Sequence, residues 1–426
     1  MAIAESTSPA VTPGQKLVVM GVGYVGMNLC QESVRAGHQV IGLDINPMRV
    51  EAIKNTIPPP DSLTTIELTE LLDRGFVATT DPSVLGTADT VVLCVPTPLS
   101  AGLPDLTAIE AAARTVRDHL RAGMLVVLES TTHPGTTQDV VAPILAESGL
   151  TIGDDVALAY SPERIQPGNP SHRLRDTPKV VAGLTPACTV RAADFYRTVV
   201  DTVVVAAGLR EAEMAKLLEN IYLNVNIALV NEIAMVCGDL GVDVWDVIRC
   251  ASSKPYDFQA FTPGPGVGGH CIPVDPVYLT TAVRTQLGRP AQLIETAHEI
   301  NQRMPHHVAQ RAHAVLSAHE IAPALARIIL VGITYKPDVA DLRETPACPI
   351  ARLLLESGAY VSYNDPHVSA WTVDDRAVPP SDLSQHHDLA IFLQHHRATD
   401  ADPIIAACAA VLDTRGKLSG PSIVRI

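Results

Sequence analysis

A strand, a glycine-rich turn and a helix follow one another without a gap near the amino terminus of this sequence. Lys16–Met20 is an apolar run typical of a buried strand, Gly21-Val-Gly-Tyr-Val-Gly26 comes next, and helical periodicity continues to about Ala36. A second apolar run, Gln39–Leu43, ends on Asp44, 23 residues after Gly21. A G-x-G-x-x-G pattern alone is weak evidence, but in this setting it predicts a βαβ unit that binds a dinucleotide.

The three glycines of this motif have different physical roles. Gly21 permits the tight turn, Gly23 lets the backbone approach a pyrophosphate at the helix N-terminus, and Gly26 lets the helix pack closely on the strand. Tyr24 and Val25 lie between them and belong to the same predicted cofactor-binding turn. The alternative is a structural glycine turn that holds no dinucleotide.

Asp44 indicates which dinucleotide binds. A carboxylate at the end of the second strand can accept a hydrogen bond from a ribose 2′-hydroxyl, and it repels a 2′-phosphate. Ile45 follows it, in a place where an arginine would accommodate that phosphate. The sequence therefore predicts NAD rather than NADP as the cofactor.

Strand and helix patterns alternate in both terminal parts of the chain. In the amino-terminal part, further apolar runs are typical of buried parallel strands: Thr90–Cys94, Leu125–Leu128, Val156–Ala159 and Lys179–Ala182. In the carboxyl-terminal part, the strand Arg327–Val331, a helix over Pro349–Ser357 and the strand Ala359–Tyr363 form a second βαβ pattern. We expect an α/β fold with two doubly wound, Rossmann-like domains joined by a central helical region.

The domain boundaries follow from the same patterns. Residues 1–15 are rich in Ser, Thr, Ala and Pro and predict a disordered tail. Residues 16–208 form the predicted dinucleotide-binding domain, residues 209–312 the helical region, and residues 313–426 the second Rossmann-like domain.

Composition restricts the partners and the compartment. The net charge of −15, from 46 acidic and 31 basic residues, argues against a nucleic-acid partner. Eight irregularly spaced cysteines without a C-x-x-C pair fit a reducing cytoplasm. The first residues lack the basic and apolar regions of a signal peptide, and the apolar runs are strand-sized. We therefore expect a cytoplasmic protein with no membrane partner.

A loop rich in glycine and proline carries a cysteine and an aspartate. The loop runs from Gly264 to Pro276, with Cys271 near its end and Asp275 four residues later. Glycines there let the backbone approach a ligand, and a thiol could attack a carbonyl while the carboxylate moves protons. The alternative is a buried structural cysteine beside a turn.

A long helical pattern from Leu209 to about Leu240 carries two polar residues on one face. Lys216 and Asn220 are four residues apart, so an amine and an amide could together stabilise an alkoxide. The alternative is a solvated edge of the helix. The apolar stripe of this helix consists of Leu217, Leu218, Ile221, Val225, Ala228, Leu229 and Ile233.

These residues resemble the UDP-glucose/GDP-mannose dehydrogenase family, the nucleoside-diphosphate-sugar 6-dehydrogenases. The resemblance runs from about Lys16 to Arg415, nearly the whole chain. Beside the first glycine motif, its motifs occur in the family's order: Val95-Pro-Thr-Pro98, Glu129-Ser-Thr-Thr-His-Pro-Gly135, Ser161-Pro-Glu-Arg164, Glu213-Met-Ala-Lys-Leu-Leu-Glu-Asn220, Gly268-Gly-His-Cys271 and Tyr335-Lys-Pro-Asp-Val-Ala-Asp-Leu-Arg-Glu344.

The resemblance implies an oxidoreductase of polysaccharide or glycoside biosynthesis that oxidises a sugar alcohol to a carboxylate with NAD. Cys271 would form a thiohemiacetal and then a thioester, which water hydrolyses. The resemblance assigns alkoxide stabilisation to Lys216 and Asn220, and proton transfer to Asp275. Glu163 would orient or activate the hydrolytic water, and Thr131 would hold it.

The same resemblance implies further ligand contacts. Pro96 and Thr97 would contact the cofactor, although Thr97 could equally serve a strand-terminal turn. Arg343 would reach the cofactor from the second domain, Lys336 would contact the sugar or the diphosphate, and Tyr335 would stack on the base. Isolated basic residues of this kind are otherwise surface ion pairs. The second Rossmann-like domain would hold the nucleotide sugar, and the central helices would form a homodimer interface.

The identity of the sugar rests on few residues. Arg164, the following Pro167-Gly168-Asn169, and His270 resemble the branch that acts on UDP-linked N-acetylhexosamines, with Gly268 in the same loop. UDP-N-acetylglucosamine or UDP-N-acetylmannosamine is therefore favoured, and UDP-glucose or dTDP-glucose remains the alternative. Arg303 is a further candidate contact to the sugar or to the partner subunit.

Two histidine pairs, His386-His387 and His395-His396, lack the carboxylate or cysteine spacing of a metal site, so we expect no metal. Two other functions stay open. A single-step hydroxyacid dehydrogenase shares the Rossmann domain and a helical partner, and a noncatalytic regulator could bind NAD or a nucleotide sugar.

Overall fold

The computed structural model describes residues 14–60, 62–165, 173–269 and 271–426. The predicted tail up to residue 13, Pro167–Asn169 and His270 lie outside these ranges. The chain forms two compact units, of which the first ends at Leu218 and the second begins at Glu219. The division falls inside one long helix, Leu209–Leu240.

The first unit contains a sheet flanked by helices. Its strands are β1 (Lys16–Met20), β2 (Gln39–Leu43), β3 (Val77–Thr79), β4 (Thr90–Leu93), the short pair β5 (Leu99–Ser100) and β6 (Leu103–Pro104), β7 (Leu125–Leu128), β8 (Ala157–Tyr160), β9 (Lys179–Gly183) and β10 (Val203–Val205). Its helices are α1 (Tyr24–Arg35), α2 (Pro47–Lys54), α3 (Thr65–Asp73), α4 (Thr107–Arg117), α5 (Ala142–Ala146) and α6 (Pro186–Val199), with a 3₁₀ turn at Pro82–Thr87 and a π turn at Thr136–Val141.

The strand order is β10-β9-β8-β7-β4-β1-β2-β3. From β3 to β8 all pairs are parallel, which gives the doubly wound order of a dinucleotide-binding fold. The central strands β1, β4 and β7 are apolar on both faces because helices cover both sides of the sheet, as in other parallel sheets.

One predicted strand runs in the opposite direction. The sequence predicts Lys179–Ala182 as another parallel strand, and this was wrong because β9 pairs with β8 in antiparallel register. A parallel neighbour needs a crossover, usually a helix. The connection between β8 and β9 has no helix in its described parts, 161–165 and 173–178.

The second unit contains a smaller parallel sheet. Its strands are β11 (Arg327–Val331), β12 (Tyr360–Asn364), the hairpin β13 (Trp371–Val373) and β14 (Arg376–Val378), β15 (His387–Phe392), β16 (Cys408–Asp413) and β17 (Ile423–Arg425). Its helices are α8 (Val244–Ala251), α9 (Asp275–Leu287), α10 (Gln292–Ala318), α11 (Ala347–Glu356) and α12 (Ala401–Ala406), with a 3₁₀ turn at Pro323–Leu325. The order β12-β11-β15-β16-β17 is also doubly wound, so the predicted fold class is confirmed.

The long helix α7 (Leu209–Leu240) is apolar enough to cross a membrane by length and composition, with a mean hydropathy of 1.4 over its best window. A core helix of a soluble protein passes the same test, so this is weak evidence. Several buried polar side chains of α7 bond to the protein. Glu213, for example, accepts hydrogen bonds from the backbone N–H groups of Gly135 and Thr137, at 2.5 and 2.9 Å. The absence of a membrane partner stays a prediction.

Candidate active site

The turn after β1 has the shape that a dinucleotide needs. Gly21 has a φ of 91°, and a Cβ there would overlap the carbonyl oxygen of Cys94 at the end of β4. A Cβ on Gly26 would overlap the Gly21 carbonyl, so helix and strand pack as closely as the motif requires. A Cβ on Gly23 would meet nothing within 4 Å, and the first N–H groups of α1 receive no side-chain cap. Open space in front of a helix N-terminus fits a pyrophosphate.

Asp44 is buried at the end of β2, where its carboxylate organises this turn. It accepts hydrogen bonds from the N–H groups of Val22, at 3.1 Å, and Asn46, at 2.9 Å. Arg49 Nη1 lies 3.0 Å from Oδ2 of the same carboxylate. A carboxylate has about four acceptor sites, which leaves capacity for a ribose hydroxyl.

Other predicted residues of the first unit lie along the same edge of the sheet. Pro96 and Thr97 follow β4, Thr131 follows β7, and Glu163 follows β8. Because these strands are parallel, their carboxyl ends share the edge at which Gly21 turns, the edge where open α/β sheets bind ligands. Thr97 and Glu163 are buried, whereas Thr131 is half-buried and its neighbour Thr132 is fully buried.

Glu163 belongs to a buried group of charges that includes Glu129, directly after β7, and Lys179, at the start of β9. Lys179 Nζ lies 2.9 Å from Glu129 Oε1 and 3.8 Å from Glu163 Oε2. The Tyr196 hydroxyl donates a hydrogen bond of 2.5 Å to Glu129 Oε1. Burial would lower the pKa of Lys179, but the two carboxylates outweigh it and raise that pKa, so the ammonium stays charged.

The electrostatic surroundings of Glu163 raise the pKa of its carboxylate above the ordinary value. Burial raises its pKa, the Lys179 ammonium opposes the rise, and the Glu129 carboxylate adds to it. The N–H of Ile165, which donates to Glu163 Oε1, and the charge of Lys216 also oppose the rise. The first unit therefore brings the predicted residues Glu163 and Lys216 together.

In the second unit, the glycine–cysteine loop is anchored from two sides. A chain of three buried asparagine side chains holds one side. Gly264 N donates to Asn231 Oδ1 at 3.0 Å, and Asn231 Nδ2 donates to Asn301 Oδ1 at 2.9 Å. Asn301 Nδ2 in turn donates to Asn224 Oδ1 at 2.9 Å. On the other side, Gly269 N donates to the Arg343 carbonyl at 2.9 Å.

The glycines of this loop are needed for contact with Tyr335. A Cβ on Gly268 would lie 2.6 Å from Tyr335 Cβ, and one on Gly269, whose φ is 84°, would lie 2.7 Å from the Tyr335 ring. The ring that the resemblance assigns to a nucleotide base therefore also packs against the glycine–cysteine loop. Lys336 is half-buried in the same segment.

The predicted catalytic residues of the second unit lie at the end of this loop. Cys271 is exposed, and its carbonyl accepts a 2.9 Å hydrogen bond from the N–H of Asp275, the first residue of α9. The Asp275 side chain is buried and its Oδ2 accepts a hydrogen bond from Asn220 Nδ2. The arrangement presents a thiol to solvent beside a buried, oriented carboxylate.

The arginines that the sequence singles out lie in three different settings. The Arg343 guanidinium is held by both oxygens of Asp341, at 2.5 to 3.0 Å. Arg164 Nη1 donates to the Pro178 carbonyl at 2.7 Å. Arg303 is exposed on α10. Their contacts to cofactor or sugar stay predictions.

Asp338, His367 and His396 come close enough to suggest a metal site, but the ligand atoms of Asp338 and His396 have other partners. His396 Nδ1 accepts from the Asp338 N–H at 2.9 Å, and Nε2 lies 3.0 Å from Asp365 Oδ2. The Asp338 carboxylate binds Arg397 at 2.7 Å. Since both ring nitrogens of His396 are engaged, this histidine has no lone pair for a metal.

Three models of one protein family match consecutive parts of the chain. Residues 15–200 match the NAD binding domain of the UDP-glucose/GDP-mannose dehydrogenase family, residues 210–303 its central domain, and residues 329–419 its UDP binding domain. The chain belongs to the UDP-glucose/GDP-mannose dehydrogenase family. It is an NAD-dependent nucleotide-sugar 6-dehydrogenase, as the sequence motifs predict.

Individual family members agree with this assignment. The chain is 38% identical over 355 residues to the UDP-N-acetyl-D-mannosamine dehydrogenase of Escherichia coli K12, covering 79% of this chain and 82% of that protein. It is 34% identical over 419 residues to the NDP-N-acetyl-D-galactosaminuronic acid dehydrogenase of Ralstonia solanacearum, covering 94% and 96%. The structure of the UDP-D-ManNAc dehydrogenase from Pyrococcus horikoshii superposes with a TM-score of 0.87 at 30% identity, covering 96% and 99%.

Sequence reasoning missed several residues of this family member's site. Arg49 could have been noticed because it lies in the helix that follows Asp44. Lys179 gave no signal, since a lysine at the start of an apolar run resembles an exposed strand end. The amide chain of Asn224, Asn231 and Asn301 joins two helices distant in sequence and had no local signature.

Asp44→Ala tests the cofactor site. Hydrogen bonds to charged groups contribute about 1.5–3 kcal/mol, so we expect the NAD dissociation constant to rise about tenfold or more. Isothermal titration calorimetry of the purified protein measures it. Asp81→Ala, which removes an exposed carboxylate that caps the turn at Pro82, is the control and should bind NAD normally. Unchanged affinity in Asp44→Ala would remove Asp44 from the ribose site.

Proposed function

We propose that this enzyme carries out a four-electron oxidation of the C6 hydroxymethyl group of a UDP-linked N-acetylhexosamine, through a thioester on Cys271. One observation supports this proposal most directly. Cys271 is an exposed thiol on a loop that buried amides and Tyr335 hold in place, followed by the buried Asp275. A dehydrogenase that stops at one oxidation has no need of a presented thiol.

In the first oxidation the sugar hydroxyl is converted to an aldehyde. Lys216 and Asn220 stabilise the alkoxide, and Asp275, oriented by Asn220, receives the hydroxyl proton through water. NAD, when bound at the Gly21–Gly26 turn, takes up one hydride in each of the two oxidations. These roles rest on the family resemblance together with the positions of the residues within their units.

In the second oxidation Cys271 retains the aldehyde on the enzyme. The thiol adds to the aldehyde carbon to give a thiohemiacetal, and loss of a hydride from that carbon gives a thioester. Water then adds to the thioester carbon, the carbon–sulfur bond breaks, and the sulfur leaves as thiolate. Glu163 takes the proton from that water, and Thr131 holds the water in place.

The sugar is the finer part of the proposal. The names of the relatives described above all contain an N-acetylated amino sugar or its uronic acid, and this supports UDP-N-acetylmannosamine or UDP-N-acetylglucosamine. UDP-glucose and dTDP-glucose are the alternatives. With these four substrates in one NADH assay, we expect the highest kcat/KM for an N-acetylated sugar. A higher value for a glucose-linked nucleotide would contradict the choice.

We also propose that the enzyme is a homodimer. The apolar stripe of α7 has two faces, because Leu217, Ile221 and Ala228 are buried whereas others stay exposed at helical spacing. Its exposed members are Leu218, Leu229 and Ile233, and Tyr222, Val236 and Leu240 extend the exposed row along the helix. Apolar side chains in such a row commonly mark an interface.

Sedimentation equilibrium tests the dimer. We expect a mass of twice the 45.3 kDa chain, and a shift towards monomer in Leu229→Glu. Ile66→Glu, an equally drastic change at an exposed apolar residue of α3, should leave the mass unchanged. A monomeric wild-type protein would refute the dimer.

The stoichiometry of NADH tests the chemistry. Wild type should form two NADH per UDP-sugar consumed, and Cys271→Ser should lose uronic acid formation by about a hundredfold or more because no thioester forms. Cys250→Ser changes another exposed cysteine and should keep full activity. One NADH per sugar, with indifference to Cys271→Ser, would indicate a single-step dehydrogenase, and no NADH would indicate a noncatalytic binding protein.

A further inference from the structure

Lys179 is a charged residue in the interior of the first unit that the proposed chemistry does not yet use. Its side chain is 2% exposed, and its ammonium lies between the carboxylates of Glu129 and Glu163. Its contact with Glu129 is an ion pair without the alignment of a hydrogen bond. An ammonium has three N–H donors, so one carboxylate does not exhaust it.

The reversed direction of β9 places Lys179 opposite Glu163. In the antiparallel pair, Tyr160 faces Ala182. Beyond Tyr160 the chain stays next to this segment, because the side chains of Ser161 and Arg164 donate to the carbonyls of Val180 and Pro178. Between those two contacts, Glu163 comes to lie near Lys179. The course of the chain after β8 and the reversed β9 thus bring these two side chains together.

The charges of this cluster leave one negative charge in excess. Glu129 and Glu163 carry two negative charges when ionised, and Lys179 carries one positive charge. Glu129 is bound closely by Lys179, at 2.9 Å, and by the Tyr196 hydroxyl, at 2.5 Å. Glu163 lies farther from the ammonium, at 3.8 Å. The excess charge therefore resides on Glu163, which is the member that can accept a proton.

We propose that Lys179 is a positioning residue for Glu163, holding that carboxylate ionised and in place to take the proton from the water that hydrolyses the Cys271 thioester. This inference rests on the proposed function. In the step concerned, a water oxygen bonds to the thioester carbon, the thiolate leaves, and one water proton passes to Glu163. No electrons are transferred, and Lys179 neither gains nor loses a proton.

The charges that face Glu163 predict the sign of each substitution. Lys179 and Lys216 lower the pKa of Glu163, whereas burial and Glu129 raise it. Since the ionised carboxylate is the active form, hydrolysis is lost as the pH falls through this pKa. In a plot of the rate of thioester hydrolysis against pH, the acid limb is the part where the rate falls as the pH is lowered. Lys179→Met should move this limb to higher pH, and Glu129→Gln should move it to lower pH. Loss of structure alone would not shift the limb in opposite directions.

The experiment follows single turnovers of the full enzyme with NAD and the preferred UDP-sugar over a range of pH. Acid quenching and intact-mass spectrometry count the acyl group on Cys271 and give the hydrolysis rate. We expect Lys179→Met to hydrolyse the thioester about tenfold or more slowly than wild type at mildly acidic pH. Lys179→Arg, which keeps the charge, should restore most of that rate.

Two further variants separate charge from folding. Lys179→Met leaves two buried carboxylates without their cation, whereas the double variant Lys179→Met/Glu129→Gln keeps the net charge of the cluster. The acid limb of the double variant should therefore fall between those of wild type and Lys179→Met. Val181→Ala, a cavity-forming change two residues along β9, lowers stability without changing charge and should leave the limb in place.

The outcomes distinguish the two proposals. If wild type forms no acyl group on Cys271, the proposed function fails and this inference fails with it. If wild type forms and hydrolyses the acyl group, but the limbs of Lys179→Met and Glu129→Gln coincide with that of wild type or move in the same direction, only the role of Lys179 is overturned. Opposite shifts, with rescue by arginine, establish it.

Discussion

In each unit, a glycine directly follows the first strand of the sheet. This glycine packs against a backbone carbonyl that follows the neighbouring strand. Gly21 meets the Cys94 carbonyl and Gly332 meets that of Gln394, both with positive φ, and a Cβ on either would overlap that oxygen. This steric constraint acts at the point where the strand order reverses, the place where open α/β sheets bind ligands. The binding turns depend on it because they begin at these glycines.

The two turns also share a hydrogen bond from a backbone N–H group to an aspartate carboxylate. In the first unit, the carboxylate of Asp44 accepts the N–H of Val22, the residue after the glycine. In the second unit, Asp365 does the same for Ile333, at 2.8 Å. Each aspartate follows the second strand of its sheet. A carboxylate thus fixes the turn of both crevices, although one belongs to the NAD binding domain of the family and the other to its UDP binding domain.

Buried polar groups hold the candidate catalytic residues in place, and such groups are costly unless they are paired. A buried ion pair such as Glu129–Lys179 contributes little net stability, but breaking one partner typically costs about 3–5 kcal/mol. The amide chain from Asn224 to Gly264 has the same character, because its buried amides bond to one another and to the loop backbone. These interactions fix positions more than they add stability. A glycine-rich loop would otherwise have many conformations.

Much of this protein follows from its sequence alone. The bounds of β1, β2, β7, β11 and α7 agree with the prediction to the residue, because apolar periodicity and glycine turns are local signals. The turn at Gly21 and the family motifs were likewise visible as spacings. The direction of β9 was not, because an apolar run reports that a strand is buried and not which way it runs. Only the tertiary structure decided that Lys179 faces Glu163 and that three distant amides hold the Cys271 loop. The first contact depends on strand direction and the second on helix packing, and both join residues far apart in the chain.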